Sequence, residues 1–407
     1  MATLGIDFGT SNTAAALMAG DRVFRIPVEP GRETLPTSLF FDTDRKRTLI
    51  GSAANAALIE GREGRFMRAL KSVLGTPLMR EMRQIGYEKM TLLDAVARFL
   101  ATVRDRAHDA TRLDFETALS GRPVRFHSDP ARHAQALVDL EEAYRIAGFD
   151  RVTFLPEPEA AALTAGPLEQ GQLGLVVDIG GGTSDFTLYR QDAGAIHVLN
   201  SYGVRIGGTD FDRLLSLDHV MPLLGRGGEV RNALGSGTTT APNAIFNDLA
   251  TWEKIAFLYT PETRRLVADL AKMGVDRTAF ARLQEVIEME LGHDIAFAVE
   301  AGKIAANDGR GVIDLTALER GLTVPLTRQA LGDTLSDLTA QIRDAAWETL
   351  SDTAPRDVAA IVFVGGSSLM GTVTDAMTGL FPQARQVRAQ AFTAVSDGLA
   401  IAAARMG

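Results

Sequence analysis

The chain contains no cysteine among its 407 residues. That absence excludes disulfide stapling, thiolate metal sites and a cysteine nucleophile. Histidine is scarce too, and the 6 present never form an HExxH pattern, so the helix-borne zinc-hydrolase signature is missing. No apolar run reaches the roughly 18 residues that would suggest a membrane span. The opening MATLGIDFGT lacks the basic stretch and apolar core of a secretory leader. These absences predict a cytoplasmic protein with no membrane partner. Positive charge is in deficit: 42 Lys and Arg face 51 Asp and Glu, for a net charge of −9. An acidic balance argues against nucleic acid as a partner, but not against a phosphate ligand, which needs local backbone N–H groups rather than global charge. The P-loop pattern GxxxxGK[ST] is also absent.

A chain of 407 residues exceeds one ordinary core, so two lobes are expected. Thr3–Phe8 is apolar, Gly9 and Thr10 follow, and Thr13–Met18 is apolar again, which predicts a strand, a tight turn and a returning strand. Val23–Pro27 and Ser38–Phe41 are further strand candidates. From Gly51 the pattern turns helical, and Leu92, Leu93, Val96, Phe99, Leu100 and Val103 give Thr91–His108 an apolar face of helical period. Phe115–Ser120 and Val152–Leu155 predict strands, Pro130–Ala147 an amphipathic helix, and Pro158–Ala165 a helix with Pro in its first turn. The theme then restarts. Leu173–Asp178 predicts a buried strand, Gly180–Gly182 the turn, Thr183–Tyr189 the return and Ile196–Tyr202 a third strand. This is a weak internal duplication centred on Asp7 and Asp178. Residues 225–245 are rich in Gly and Thr and predict a loop, 247–307 mainly helix, Val358–Val364 an apolar strand, and Thr393–Met406 a closing helix.

Asp178-Ile-Gly-Gly-Gly-Thr-Ser-Asp185 carries the most chemistry. Three successive glycines allow φ > 0 and let backbone N–H groups point into one concavity, a nest suited to a polyphosphate. The Asp ending the strand would hold Mg²⁺ through water, since Mg²⁺ keeps much of its hydration shell. A plain glycine-rich hairpin reads the same way when taken alone. Asp7-Phe-Gly-Thr-Ser-Asn12 repeats the chemistry in the same strand context. Neither loop is a dinucleotide fingerprint, because each leads into a strand and not a helix.

Together, Gly5 to Thr10, Lys71-Ser-Val-Leu-Gly75, Glu157-Pro-Glu-Ala-Ala-Ala162, Asp178 to Asp185, Gly207-Gly-Thr-Asp-Phe-Asp212 and Gly365-Gly-Ser367 resemble the nucleotide-binding domain of the DnaK-type 70-kDa heat-shock chaperones. The likeness covers essentially the whole chain. Gly121-Arg-Pro-Val-Arg-Phe126, Ala143 to Phe149 and Met221 to Glu229 resemble the shorter YegD-type branch more closely. The resemblance implies an α/β actin-like ATPase fold: two lobes, each with a ribonuclease-H-like mixed sheet, and a nucleotide cleft between them. The first lobe would take residues 1–170, with a helical insertion at about 43–112 and the closing helix 393–407 returning to it. The second would take 171–392, with a mainly helical insertion at about 216–307. The implied cofactors are ATP or ADP with Mg²⁺, and the implied activity is slow ATP hydrolysis driving a stress-response chaperone that binds a client or other protein partner.

Residue by residue, the resemblance implies that Lys71 is a catalytic cation aimed at the γ-phosphate, where it would stabilise a loose transition state. Glu157, fixed between Pro156 and Pro158, would order the metal shell or attacking water, although a helix N-terminal carboxylate favoured by the dipole reads the same. Asp178 would orient water and metal, with Asp7 as its partner, and Asp185 matches a further motif carboxylate for which a structural role is the alternative. Gly9, Thr10, Ser11, Asn12, Gly180, Gly181, Gly182, Thr183, Gly207 and Gly208 would bind phosphates. Pro123 and Arg132 match an interdomain switch proline and a linker-contacting arginine. Glu300 and Lys303 would hold the ribose, and Ile304, Asn307, Gly365, Gly366, Ser367 and Leu369 would complete the adenosine site. Two arginines that sandwich adenine in the family are replaced by Ile304 and Leu369, and Phe392 stands where the family has Asp near the last helix. The expectation is weaker or altered nucleotide affinity. Family chaperones continue into a peptide-binding domain, whereas this sequence ends at Gly407, so the expected output is a nucleotide-switched protein-binding module without that domain. Three other readings compete: a weakly or non-hydrolysing nucleotide sensor, a small-molecule kinase of the same fold, and a filament-forming protein.

Overall fold

A strand that is apolar along its length needs partners on both edges and cover on both faces, and Thr3–Phe8 and Leu173–Ile179 each obtain them. The computed structural model describes residues 2–406 apart from 128, 167, 193–194, 233–235 and 389–391; the side chains of 253 and 256 also lie outside the described residues. Strands β1 (Thr3–Phe8), β2 (Asn12–Ala19), β3 (Arg22–Arg25), β4 (Thr117–Arg122) and β5 (Arg151–Pro156) form one sheet in the order β5-β4-β1-β2-β3, with Thr34–Pro36 paired to β2. Strands β6 (Leu173–Ile179), β7 (Ser184–Asp192), β8 (Ala195–Val204), β9 (Val358–Val364) and β10 (Arg385–Val387) form a second, in the order β8-β7-β6-β9-β10.

The two sheets share a topology. In the first, β1 runs antiparallel to β2, β2 to β3, and β1-β4-β5 are parallel. In the second, β6-β7-β8 are antiparallel and β6-β9-β10 parallel. The repeat that is faint in sequence is therefore explicit in strand order.

The chain divides into two compact units. The first comprises Met1–Val204, Ala345–Leu369 and Thr378–Gly407, and holds both large sheets; the second comprises Arg205–Asp344 and Met370–Met377. Within the first unit, the helix Leu92–Thr111 starts at a reciprocal cap: Asp94 N–H donates to Thr91 Oγ1 at 3.1 Å and Thr91 N–H to Asp94 Oδ2 at 2.9 Å, an arrangement typically worth about 1 kcal/mol. Its apolar face, including Val96, Phe99 and Leu100, packs into a core with Phe8, Phe41, Tyr144 and Phe149. A second core joins Leu119 of β4 and Val176 of β6 to the helices Glu157–Thr164 and Ala394–Met406. Those helices touch backbone to backbone: a Cβ on Gly398 would stand 1.8 Å from the Ala160 carbonyl oxygen.

The second unit is built mainly from helices, including Pro261–Met273, Arg277–Glu288 and Gly292–Asn307, around Phe246, Phe280, Leu283 and Val299. Two sequence expectations change. The stretch from Gly51 is not simply helical, because after Ser52–Ile59 the strand Gly64–Arg68 pairs with Ser38–Asp42. The expected loop at 225–245 contains Glu229–Arg231 paired with Thr238–Thr240, then the start of helix Asn243–Leu249. Its β-branched threonines favour a strand once a partner is present, and residues 233–235 lie outside the described residues. No helix among the described residues is long and apolar enough to cross a membrane.

Candidate nucleotide site

The two Asp-containing hairpins have corresponding registers. On β1 and β2, Asp7 pairs with Ala14 and Phe8 with Thr13. On β6 and β7, Asp178 pairs with Asp185 and Ile179 with Ser184. The intervening loops, Gly9 to Asn12 and Gly180 to Thr183, are therefore equal in length. They also face one another, for a Cβ on Gly181 would stand 2.5 Å from Ser11 Oγ. One expectation is corrected here: Gly180, Gly181 and Gly182 do not have positive φ, and neither does Gly9. Two of them, Gly9 and Gly181, answer to space instead, as a Cβ on Gly9 would stand 2.2 Å from the Asn12 carbonyl oxygen. Positive φ appears beside them at Gly365 (φ 76°), the turn after β9, which presses against the Ile179 carbonyl at the end of β6.

Lys71 lies on a short 3-10 turn, Leu70–Val73, entered through Ala69 at φ 59°, a left-handed conformation unusual for a residue other than glycine. Lys71 is only 8% exposed, and its Nζ donates to Glu157 Oε1 at 2.6 Å. Glu157 opens its helix directly after β5, with Pro158 fixing the first turn, and its Cγ packs over Gly121 at the end of β4. Two strand ends and one turn thus deliver the pair.

Around it the charge is unbalanced. Asp7, Glu157, Asp178 and Asp185 interact electrostatically with one another or with Lys71, so one ammonium sits among four carboxyls. Burial and the Glu157 charge push the Asp7 carboxyl up to about 7 against the pull of Lys71. Asp178 is held well above the usual carboxylate range by burial, then by Glu157, Asp185 and Asp7. For Lys71, burial pulls the ammonium down, but Glu157, Asp7 and Asp178 outweigh it and raise it above its ordinary value. An excess of enclosed acid is chemistry that a hydrated dication would relieve. Among the described residues no three His, Asp or Glu side chains stand close enough to ligate a metal directly.

The other sequence candidates fall in two places. Gly366, Ser367 and Leu369 follow Gly365 in the first unit, and the Phe392 ring lies against Gly366, 2.5 Å from where a Cβ would stand. Gly207, Gly208, Glu300, Lys303, Ile304 and Asn307 belong to the second unit. Gly207 N–H donates to Asp210 Oδ2 at 2.9 Å and opens the helix Gly208–Leu215. Lys303, 5% exposed, is paired with Asp212 at 2.7 Å and lies 3.4 Å from the Gly208 carbonyl. Asn307 Oδ1 accepts from Gly371 N–H at 2.6 Å, and Ile304 is 59% exposed. Arg132 N–H donates to Asp129 Oδ1, capping the helix Pro130–Ile146. Sequence reasoning missed Asp139 on that helix, which is fully buried beside the Lys71 turn. The signal was present: an acid at the helical spacing of Ala136, Leu140 and Ala143 on the buried face.

Comparison with known proteins supplies the family. The Hsp70 protein family profile matches residues 3–227. Chaperone protein HscA homologs of Burkholderia mallei, Burkholderia pseudomallei and Burkholderia thailandensis are each 28% identical across 98% of this chain. The chain spans 58% of the length of these relatives. With more than half of its length matched by the family profile, the chain belongs to the Hsp70 family and has its actin-like, mixed α/β fold.

Proposed function

We propose that the chain binds ATP with Mg²⁺ and hydrolyses it slowly, acting as a nucleotide-switched module that engages a protein client or partner in the cytoplasm. The observation that carries this reading is the Lys71–Glu157 pair at 2.6 Å, set among Asp7 and Asp178 at the base of two facing hairpin loops. The loops Gly9–Asn12 and Gly180–Thr183 would take the phosphates through backbone N–H groups. Asp7 and Asp178 would hold the metal through water, and the metal would neutralise phosphate charge. Lys71 would direct its ammonium at the γ-phosphate, and Glu157 would orient water, since phosphoryl transfer depends mostly on positioning and charge stabilisation. Gly207, Gly208, Glu300, Lys303, Ile304, Asn307 and Gly365 to Leu369 complete the proposal as phosphate and adenosine contacts. The division into lobes 1–170 and 171–392 follows the two sheets and belongs to the same reading.

A second reading, a nucleotide sensor that scarcely hydrolyses, draws on Ile304, exposed where the family has a base-stacking arginine, and on the engagement of Lys303 with Asp212. A single-turnover ATP assay separates the two. Phosphate release by the wild type that falls at least about tenfold in Lys71→Ala, with ATP still bound, supports hydrolysis through Lys71. Equal release by both proteins refutes that role, and ATP binding without release supports the sensor.

A further inference from the structure

The turn that carries Lys71 is gripped by side chains outside the acidic cluster. We propose that Asp139, with His127 as a second grip, is a positioning residue that sets where the Lys71 ammonium stands.

Asp139 is 0% exposed, yet its carboxylate is saturated with donors. Oδ2 accepts Gly75 N–H at 2.9 Å. Oδ1 accepts Arg80 Nε at 3.1 Å, Arg80 Nη2 at 2.9 Å and Gln135 Nε2 at 2.8 Å. Gly75 closes the turn begun by Leu70, and its φ of 79° excludes an ordinary side chain. A Cβ there would also stand 2.2 Å from the Arg132 carbonyl oxygen, so the turn lies directly on the backbone of the helix that bears Asp139. One residue earlier, the Leu74 carbonyl accepts from His127 Nε2 at 2.6 Å. The left-handed Ala69 at the other end of the turn is a conformation that persists only when its surroundings impose it.

These contacts matter because the lysine stem is long and flexible, and its pairing with Glu157 alone fixes only the tip. A turn free to shift would carry the ammonium with it, and a displacement of about 1 Å in a reacting group can cost about 10²-fold in rate. Asp139 and His127 touch no reacting atom. Their effect passes through Leu74 and Gly75 to Lys71.

The inference rests on the catalytic reading of Lys71, so the test pairs a hydrolysis readout with one that does not need hydrolysis. Asp139→Asn, His127→Ala and His127→Gln are prepared in the full chain. The expected result is an ATP dissociation constant within about threefold of wild type and single-turnover phosphate release reduced about 10- to 100-fold in Asp139→Asn and His127→Ala. His127→Gln, whose side-chain amide can still donate to the Leu74 carbonyl, recovers most of the rate. Without nucleotide, acetylation of Lys71 by an N-hydroxysuccinimide ester, read by peptide mass spectrometry, accelerates severalfold in Asp139→Asn and His127→Ala, and the Gly75 amide exchanges at least about tenfold faster in Asp139→Asn. If the wild type releases no phosphate, the hydrolytic reading fails, while Lys71 labelling still decides the positioning. Folded variants with unchanged Lys71 labelling and unchanged phosphate release overturn the proposal. If Asp139→Asn does not fold, His127→Ala and His127→Gln decide it by the same two readouts.

Discussion

Replacing Lys71 with Met keeps the stem and deletes the ammonium that faces Glu157, Asp7 and Asp178. The side chains of Lys71 and Glu157 are 9% and 13% exposed and meet at 2.6 Å. At an effective dielectric constant of about 20, unit charges about 4 Å apart attract by about 4 kcal/mol, and removing one partner of a buried pair generally costs about 3–5 kcal/mol. Lys71→Met should therefore destabilise the chain by about 3 kcal/mol or more at pH 8. Glu157→Gln should cost far less, about 1 kcal/mol or below, because Lys71 still faces Asp7 and Asp178 and the acid excess shrinks by one. The double variant should regain about 1–3 kcal/mol relative to Lys71→Met. The loss in Lys71→Met should also depend on pH. Asp7, pushed up to about 7 from 3.8, binds its proton more tightly folded than unfolded. Stability from this group therefore falls as pH rises through that window and recovers on acidification. Without Lys71 the carboxyl rises further, so the penalty should shrink between pH 8 and pH 6. Urea unfolding followed by far-UV circular dichroism in chelator, without nucleotide, measures all four proteins. A Glu157→Gln penalty equal to that of Lys71→Met, or a Lys71→Met penalty that does not shrink at pH 6, would refute the charge-excess argument.

Two further outcomes test the packing of each unit. His293 packs edge-on against Trp252 with ring centroids 4.9 Å apart, and burial depresses its imidazole to about 4 from 6.5. The unfolded chain protonates first, so stability should be full above pH 6.5 and decline as pH falls toward 4, by at most about 3 kcal/mol. His293→Phe should flatten that acid slope in urea midpoints measured at pH 7.5 and 5, and equal slopes would contradict it. Arg25 holds Asp397 of the closing helix through Nε and Nη2, each at 2.9 Å, and Asp397 is 5% exposed. Arg25→Met strands that carboxylate and should cost about 3–5 kcal/mol. Asp397→Leu leaves Arg25 beside Glu33 at 3.3 Å and should cost about 1–2 kcal/mol. Thermal unfolding that shows equal losses would exclude this asymmetry.

Several features were legible in the chain itself because they depend on neighbours close in sequence. The apolar run Val358–Val364 is a strand over those same residues, and the helical period of Leu92 to Val103 lies within the helix Leu92–Thr111. Both Asp-containing hairpins were readable, since an apolar strand, a glycine turn and a return strand are local patterns. The Gly/Thr stretch 225–245 has the composition of a loop, because a three-residue strand such as Thr238–Thr240 has no periodicity to detect and exists through its pairing with Glu229–Arg231.

What the sequence determined alone was the set of chemical types at each motif: acids ending strands, glycines between them, a lysine before Ser-Val-Leu-Gly, and a glutamate between prolines. What tertiary structure decided was which of these meet. Lys71 and Glu157 are 86 positions apart and touch. Asp139 reaches Gly75 across 64 positions, and Lys303 is engaged by Asp212. Gly9 and Gly181 are needed for the approach of Asn12 and Ser11 and not for positive φ. Local patterns follow from backbone periodicity, which the chain carries everywhere. Charge pairing, close approach and burial depend on the distance between segments remote in sequence, and only the folded chain sets that distance.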